Sequence, residues 1–133
     1  MGNVWRFVLE LEPVAKGRPR FGNGRTYTPA KTREFENSVR ALLSRQYWGV
    51  PLKGPLSVAI TFLFPRPKKF KHPVWHIVKS DLDNLVKAAC DPANGIVWED
   101  DCQICELRAY KKYAPEGKAP HIIMQVCHIE DAQ

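Results

Sequence analysis

Six carboxylates crowd the stretch from Asp81 to Asp101 (Asp81, Asp83, Asp91, Glu99, Asp100 and Asp101), with Lys87 as the one basic residue among them. The island carries a formal −5 and the remainder of the chain +11, against +6 for all 133 residues. Carboxylates concentrated inside a basic protein suit a hard divalent ion such as Mg²⁺, which takes oxygen ligands and keeps several waters. Such an ion acidifies a water and neutralises charge on a phosphate in flight. The rival reading is an acid-rich, solvated turn.

Spacing narrows the geometry. Residues i and i+2 of an extended segment point the same way, whereas on a helix they diverge by about 200°. For Asp81 and Asp83 to reach one ion, a helix must begin between them, with Ser80 or Asp81 as its cap. Along that helix, expected over Asp83–Cys90, the apolar stripe is Leu82, Leu85, Val86 and Ala89. Asp83, Lys87 and Asp91 share the opposite face. Asp83 and Lys87 at i,i+4 form either a surface ion pair worth a few tenths of a kcal/mol or a ligand with a cation beside it to stabilise charge at a phosphate. Asp100 and Asp101, next to Glu99, repel one another unless a turn solvates them or a cation joins them.

The remaining elements must position these groups. Val4–Leu11 alternates with period 2 and reads as a half-buried strand. Lys16, Arg18, Arg20 and Arg25 lie in a glycine- and proline-rich segment that reads as an extended basic loop. Thr28-Pro29 reads as an N-cap with proline at the first helical position, followed by a helix to about Tyr47. Leu56–Phe64 is a second strand. A loop at 66–79 with five Lys/Arg (including Lys68, Lys69 and Lys71) and no acid reads as a mobile basic segment that orders on a polyanion. Asn94-Gly95 turns the chain, and Cys102–Tyr113 and His121–His128 complete it as strands. The order β-α-β-α-β-β implies an α+β fold in a single domain over 1–133: a small mixed sheet with two helices packed on it.

A pI near 9.3 points to nucleic acid or another polyanion as partner. No apolar run reaches the roughly 18 residues that span a bilayer, the start lacks a signal-peptide layout, and four cysteines make no disulfide scaffold. A cytoplasmic protein with reduced thiols is expected, without membrane association. Cys102-Gln-Ile-Cys105 has zinc-knuckle spacing that Cys127-His128 could complete, but on a strand the two thiols would face opposite sides. The four histidines lack ligand spacing and read as structural. No Walker-type loop is present, so no nucleotide cofactor is expected.

Taken together, Lys79-Ser-Asp-Leu-Asp-Asn-Leu-Val-Lys-Ala and Asp91-Pro-Ala-Asn-Gly-Ile-Val-Trp-Glu-Asp-Asp-Cys-Gln-Ile104 resemble the two signature segments of the RusA-type Holliday junction resolvases. Lys16-Gly-Arg-Pro-Arg-Phe, Tyr27-Thr-Pro and Phe35-Glu resemble that family's opening. The resemblance implies a homodimeric endonuclease, often phage or prophage encoded, that places symmetric nicks in four-way DNA junctions with Mg²⁺ or Mn²⁺, in recombination and repair. By motif position Asp81, Asp83 and Asp101 would be the metal-binding catalytic acids, Asp100 an auxiliary and Lys87 the essential basic residue. Lys16, Arg18 and Arg20, with Arg25 and the loop lysines Lys68, Lys69 and Lys71, would contact DNA. Ser80 and Pro92-Ala93 depart from the family pattern without touching a ligand, and Pro92 should stop the helix near Asp91. Two other activities fit the composition: a structure-specific DNA-binding protein without catalysis, and a general flap or single-strand nuclease.

Overall fold

The computed structural model describes residues 3–129. Its elements are β1 (Val4–Leu9), β2 (Arg20–Gly22), β3 (Arg25–Tyr27), α1 (Ala30–Gln46), β4 (Leu56–Phe64), α2 (Leu82–Cys90), β5 (Ile104–Tyr113) and β6 (His121–His128). Four strands make one mixed sheet in the order β1-β6-β4-β5, and β2 and β3 pair separately as a hairpin. The fold is α+β, as expected, with two short strands added to the anticipated order.

β4 is the central strand. On one of its faces Val58, Ile60 and Phe62 stand level with Val126, Met124 and Ile122 of β6, which in turn pair with β1 so that Phe7 and Leu9 join the same layer. All of these are buried, together with Phe35, Val39 and Leu43 of α1 and Leu85, Ala88 and Ala89 of α2. The helices gather on that face because only there does the period-2 pattern of three strands present continuous apolar surface.

β4 and β5 run parallel, while the other pairs of the sheet are antiparallel. Parallel neighbours need a long crossover, and the one between Phe64 and Ile104 carries the basic loop, α2 and the acidic turn. The acids singled out above and Lys87 therefore all sit on one connection. The parallel register sets Lys111 beside Phe62 and Tyr113 beside Phe64, so Lys111 rises on the helix side of the sheet, beneath the start of α2.

Four boundaries differ from expectation. β1 stops at Leu9, where the Leu11 N–H turns back to the Leu9 carbonyl at 2.9 Å. Thr28 is not the cap of α1. Pro29 holds that position with ψ 144°, extended rather than helical, and its carbonyl accepts the Arg33 N–H at 3.1 Å. The last long connection ends in a 3₁₀ turn, Asp101–Gln103, so β5 starts at Ile104 and not Cys102. The segment read as an extended basic loop contains the β2–β3 hairpin. Asn23 and Gly24, at φ 53° and 78°, form the left-handed two-residue turn whose twist matches paired strands.

Candidate active site

The helix does begin between Asp81 and Asp83. Asp81 is the extended cap residue (φ −73°, ψ 139°), yet its carboxylate makes no capping hydrogen bond, and Asp83 lies in the first turn. Both carboxylates are exposed and line one cleft of about 430 Å³ with Lys16, Arg18 and Lys87. α2 buries Leu85, Ala88, Ala89 and Cys90. Leu82 and Val86, expected in its apolar stripe, are only partly covered.

The second group of acids is fixed by a buried anchor. Trp98 is fully buried, and its indole N–H donates to Asn94 Oδ1 at 2.8 Å while its carbonyl accepts the Gly95 N–H at 2.7 Å. Gly95 has φ 81°, a conformation that favours glycine. Immediately beyond, Asp100 caps the 3₁₀ turn: its Oδ1 accepts the Cys102 N–H at 3.0 Å. Gln103 completes the box by accepting the Asp100 N–H at 2.9 Å, and its amide donates to the carbonyls of Leu52 and Gly54. Asp100 is thus engaged in holding the turn, and the Cys102 N–H draws its pKa below the usual carboxylate range.

Asp101 moves the other way. Partial burial raises its carboxyl, and hydrogen bonding and repulsion from Asp100 and Asp91 raise it further. A like charge nearby disfavours ionisation in this way. Cys90, beneath them, is pushed up to about 12 by burial and then by Asp101 and Asp91, so it is no thiolate at neutral pH.

Asp91, at the end of α2, accepts Lys16 Nζ at 2.5 Å, and Glu36 of α1 accepts the same ammonium at 3.2 Å. The Asp91 hydrogen bond is the main cause of the raised Lys16 pKa. The Lys16 N–H also donates to the Asn84 carbonyl at 3.0 Å. Lys16, read from sequence as a DNA contact, therefore ties the N-terminal segment to the end of α2 through Asp91 and to α1 through Glu36.

Lys87 stands between the two groups. It borders the cleft with Asp81 and Asp83, and on its other side a depression with Asp91 and Asp101. Among the described residues the ion pairs are Lys16–Glu36, Lys16–Asp91 and Lys53–Glu99, so the Asp83–Lys87 pair does not form. Nor do any three His, Cys, Asp or Glu side chains among them lie close enough to hold one ion, and this includes the zinc-knuckle cysteines.

Lys111 is a site residue that the sequence did not flag. Its ammonium donates to the Val78 carbonyl at 2.8 Å and to the Ser80 carbonyl. Burial lowers its pKa, against the opposing pull of the Asp81 carboxylate. Only the alternation of β5, once its register is known, would have aimed it there. Asp91 carried a weak signal, sharing a helix face with Asp83 and Lys87, and Glu36 entered only through the Phe35-Glu resemblance.

Besides Lys87, the cations that line the cleft are Lys16 and Arg18. Arg18, Arg20 and Arg25 are exposed on the hairpin and its approach, and Lys68, Lys69 and Lys71 are exposed on the loop at 66–79. That loop is tied down at its far end. The His76 ring stacks on Phe64 (3.8 Å between centroids), and Trp75 and His76 pair with the edge of β5. His72 Nδ1 accepts the N–H groups of Val74 and Trp75 at 3.1 and 3.0 Å, a structural role like that expected for the histidines.

Among the described residues no helix is long and apolar enough to cross a membrane. Residues 10–126 match the family described as endodeoxyribonuclease RusA. The chain is also 29% identical over 136 residues to the uncharacterized protein YqaN of Bacillus subtilis (strain 168), a match that covers 91% of this chain and 96% of that protein. With a family match across nearly the whole sequence, spanning both acid groups and Lys87, the chain belongs to the RusA endodeoxyribonucleases, a family of Holliday junction resolvases that bind junction DNA.

Proposed function

We propose that this protein resolves four-way DNA junctions by paired symmetric nicks, as a Mg²⁺-dependent homodimer acting in recombination and repair, from a phage or prophage setting. The observation that carries the reading is Lys87 standing between two separate groups of carboxylates on one crossover, inside a basic rim. The donor chemistry suits a hard divalent ion. Asp81 has carboxylate oxygens free of any cap bond, and Asp101 carries repulsion from Asp91 and Asp100 that a cation would relieve. Asp81 and Asp83 on one side of Lys87 and Asp101 on the other stand apart here and would close together to hold Mg²⁺, with Mn²⁺ as a substitute, and Asp100 would fix the turn that presents Asp101. When bound, the ion would supply an acidified water and charge neutralisation at phosphate.

The chain's own groups then have distinct tasks. Lys87 would hold the scissile phosphate and balance its growing charge. Lys111 would keep the Val78–Ser80 segment in place so that Asp81 faces the cleft. Arg18, Arg20, Arg25, Lys68, Lys69 and Lys71 would hold the backbone on either side, while Lys16 would act structurally through Asp91 and Glu36. Two-fold symmetry supplies the two matched cuts a junction needs.

Asp83→Asn tests the assignment. It should bind a four-way junction within about twofold of the wild type and cut it at least roughly 10²-fold more slowly, the scale of removing one electrostatic group from a reacting centre. Cleavage at the wild-type rate would remove Asp83 from the site. The separation of the carboxylates among the described residues favours a second reading, structure-specific binding without cleavage, in which wild type and variant would bind alike and neither would cut in Mg²⁺ or Mn²⁺.

A further inference from the structure

Beside the acidic cleft stands a hairpin whose Arg20 and Arg25 have a task above and whose exposed Phe21 has none. We infer that the β2–β3 hairpin is a base-stacking finger, on which Phe21 receives an unstacked base at the branch point of the DNA. The inference rests on the junction-binding reading and deepens it by naming what recognises the branch.

The register pairs Arg20 with Tyr27, Phe21 with Thr26, and Gly22 with Arg25. Opposed residues share a face and successive ones alternate. One face thus carries Arg20, Arg25 and Tyr27, and the other carries Phe21 and Thr26. The Tyr27 ring lies down over Gly22, where a Cβ would come within 3.1 Å of the ring edge. Tyr27 is therefore used within the hairpin. Phe21 is not: it is 76% exposed and pairs with no aromatic ring among the described residues.

The finger is rooted at the cleft. Its turn is the two-residue left-handed type. At its base the Gly17 N–H donates to Thr32 Oγ1 at 2.9 Å, next to the Lys16–Asn84 backbone bond. A Cβ on Gly17 would sit 3.0 Å from that same oxygen, so the chain passes α1 as closely as a glycine permits. Gly17 and Arg18 line the cleft of Asp81 and Asp83, which places the hairpin on its rim.

Charge selects the occupant. Between Glu12 and Glu34 there are six Lys/Arg and no acid, so a polyanion is favoured over another protein surface of mixed charge. A ring offered beside phosphate-binding cations is the arrangement that holds unpaired nucleotides, since every base has a π-face. Continuous duplex buries those faces in its own stack, and a branch point exposes them.

The test measures Kd for an immobile four-way junction and for a linear duplex of the same arms, in EDTA, with wild type, Phe21→Ala, Phe21→Leu and Phe21→Trp. Base–aromatic stacking sets the expected loss for Phe21→Ala on the junction at roughly 5- to 150-fold, with duplex affinity changed less than about twofold. Phe21→Trp should bind the junction like the wild type, and Phe21→Leu should fall with the alanine variant although it keeps the apolar bulk. Equal losses on both DNAs, no loss, or rescue by leucine would overturn the inference. So would a change in oligomeric state of Phe21→Ala in sedimentation, which would assign the ring to contact between copies. If the wild type itself showed no preference for the junction, the junction-binding reading would fail first and the inference with it.

Discussion

Asp81 and Asp83 converge on one cleft only because the helix starts between them. That start depends on what holds the residues before it. Lys111 donates to the carbonyls of Val78 and Ser80, which fixes the extended segment that delivers Asp81. Replacing Lys111 by methionine keeps the side chain's apolar stem and removes both bonds. Discounted for partial exposure, the loss should be about 1–2 kcal/mol, measurable as a shift in urea midpoint, with cleavage impaired by misplacement of Asp81. Unchanged stability and unchanged cleavage would show that the segment holds itself. Alternation and helix spacing made Asp81, Asp83 and Lys87 readable before any fold was known. Lys111, Glu36 and the bond from Lys16 to Asp91 were not, because their partners lie 20 to 75 residues away and local spacing carries no information about them.

At the level of elements, the acidic turn and the basic loop are each held by one aromatic anchor. Trp98 ties Asn94 and Gly95 into the turn that leads to Asp101, and Trp98→Ala should cost about 3–5 kcal/mol as a large core side chain is lost. Guanidinium denaturation would measure it, and a loss under about 1 kcal/mol, the ordinary effect of a point substitution, would mean the turn does not depend on its anchor. His76 anchors the basic loop between Phe64 and Tyr113, with Nδ1 buried and lacking a hydrogen-bond partner among the described residues. Burial, and then Lys111, lower its pKa below 6.5. The unfolded chain therefore binds a proton more readily than the folded one. Stability from neutral His76 is complete above pH 6.5 and is lost as pH falls through the lower folded value. Thermal unfolding of the wild type should thus lose more between pH 7 and pH 5 than that of His76→Phe, and parallel curves would contradict the assignment. The long strands and both helices were legible from their periodicity. The hairpin escaped because glycine and proline density masked the Asn23-Gly24 signal, and three-residue strands give alternation too little length to register.

For the whole molecule, a single parallel crossover from β4 to β5 carries both acid groups, Lys87 and the basic loop, while the N-terminal segment supplies the hairpin and Lys16. The site thus draws on segments that only the folded sheet brings together. Binding should be strongly salt-dependent, since each phosphate neutralised lowers log Kobs by about 0.9 per unit of log salt. Charge reversal of two loop lysines (Lys68→Glu with Lys69→Glu) should make the slope shallower by about two, and an unchanged slope would take that loop off the DNA. The central claim is metal-dependent resolution, and it is tested most directly by incubating the wild type with a mobile four-way junction, linear duplex and single strand in Mg²⁺, Mn²⁺ or EDTA. Paired nicks confined to the junction, present with either metal and abolished by EDTA, are the result expected. Tight junction binding with no cleavage in either metal, or cleavage of all three DNAs alike, would contradict the account.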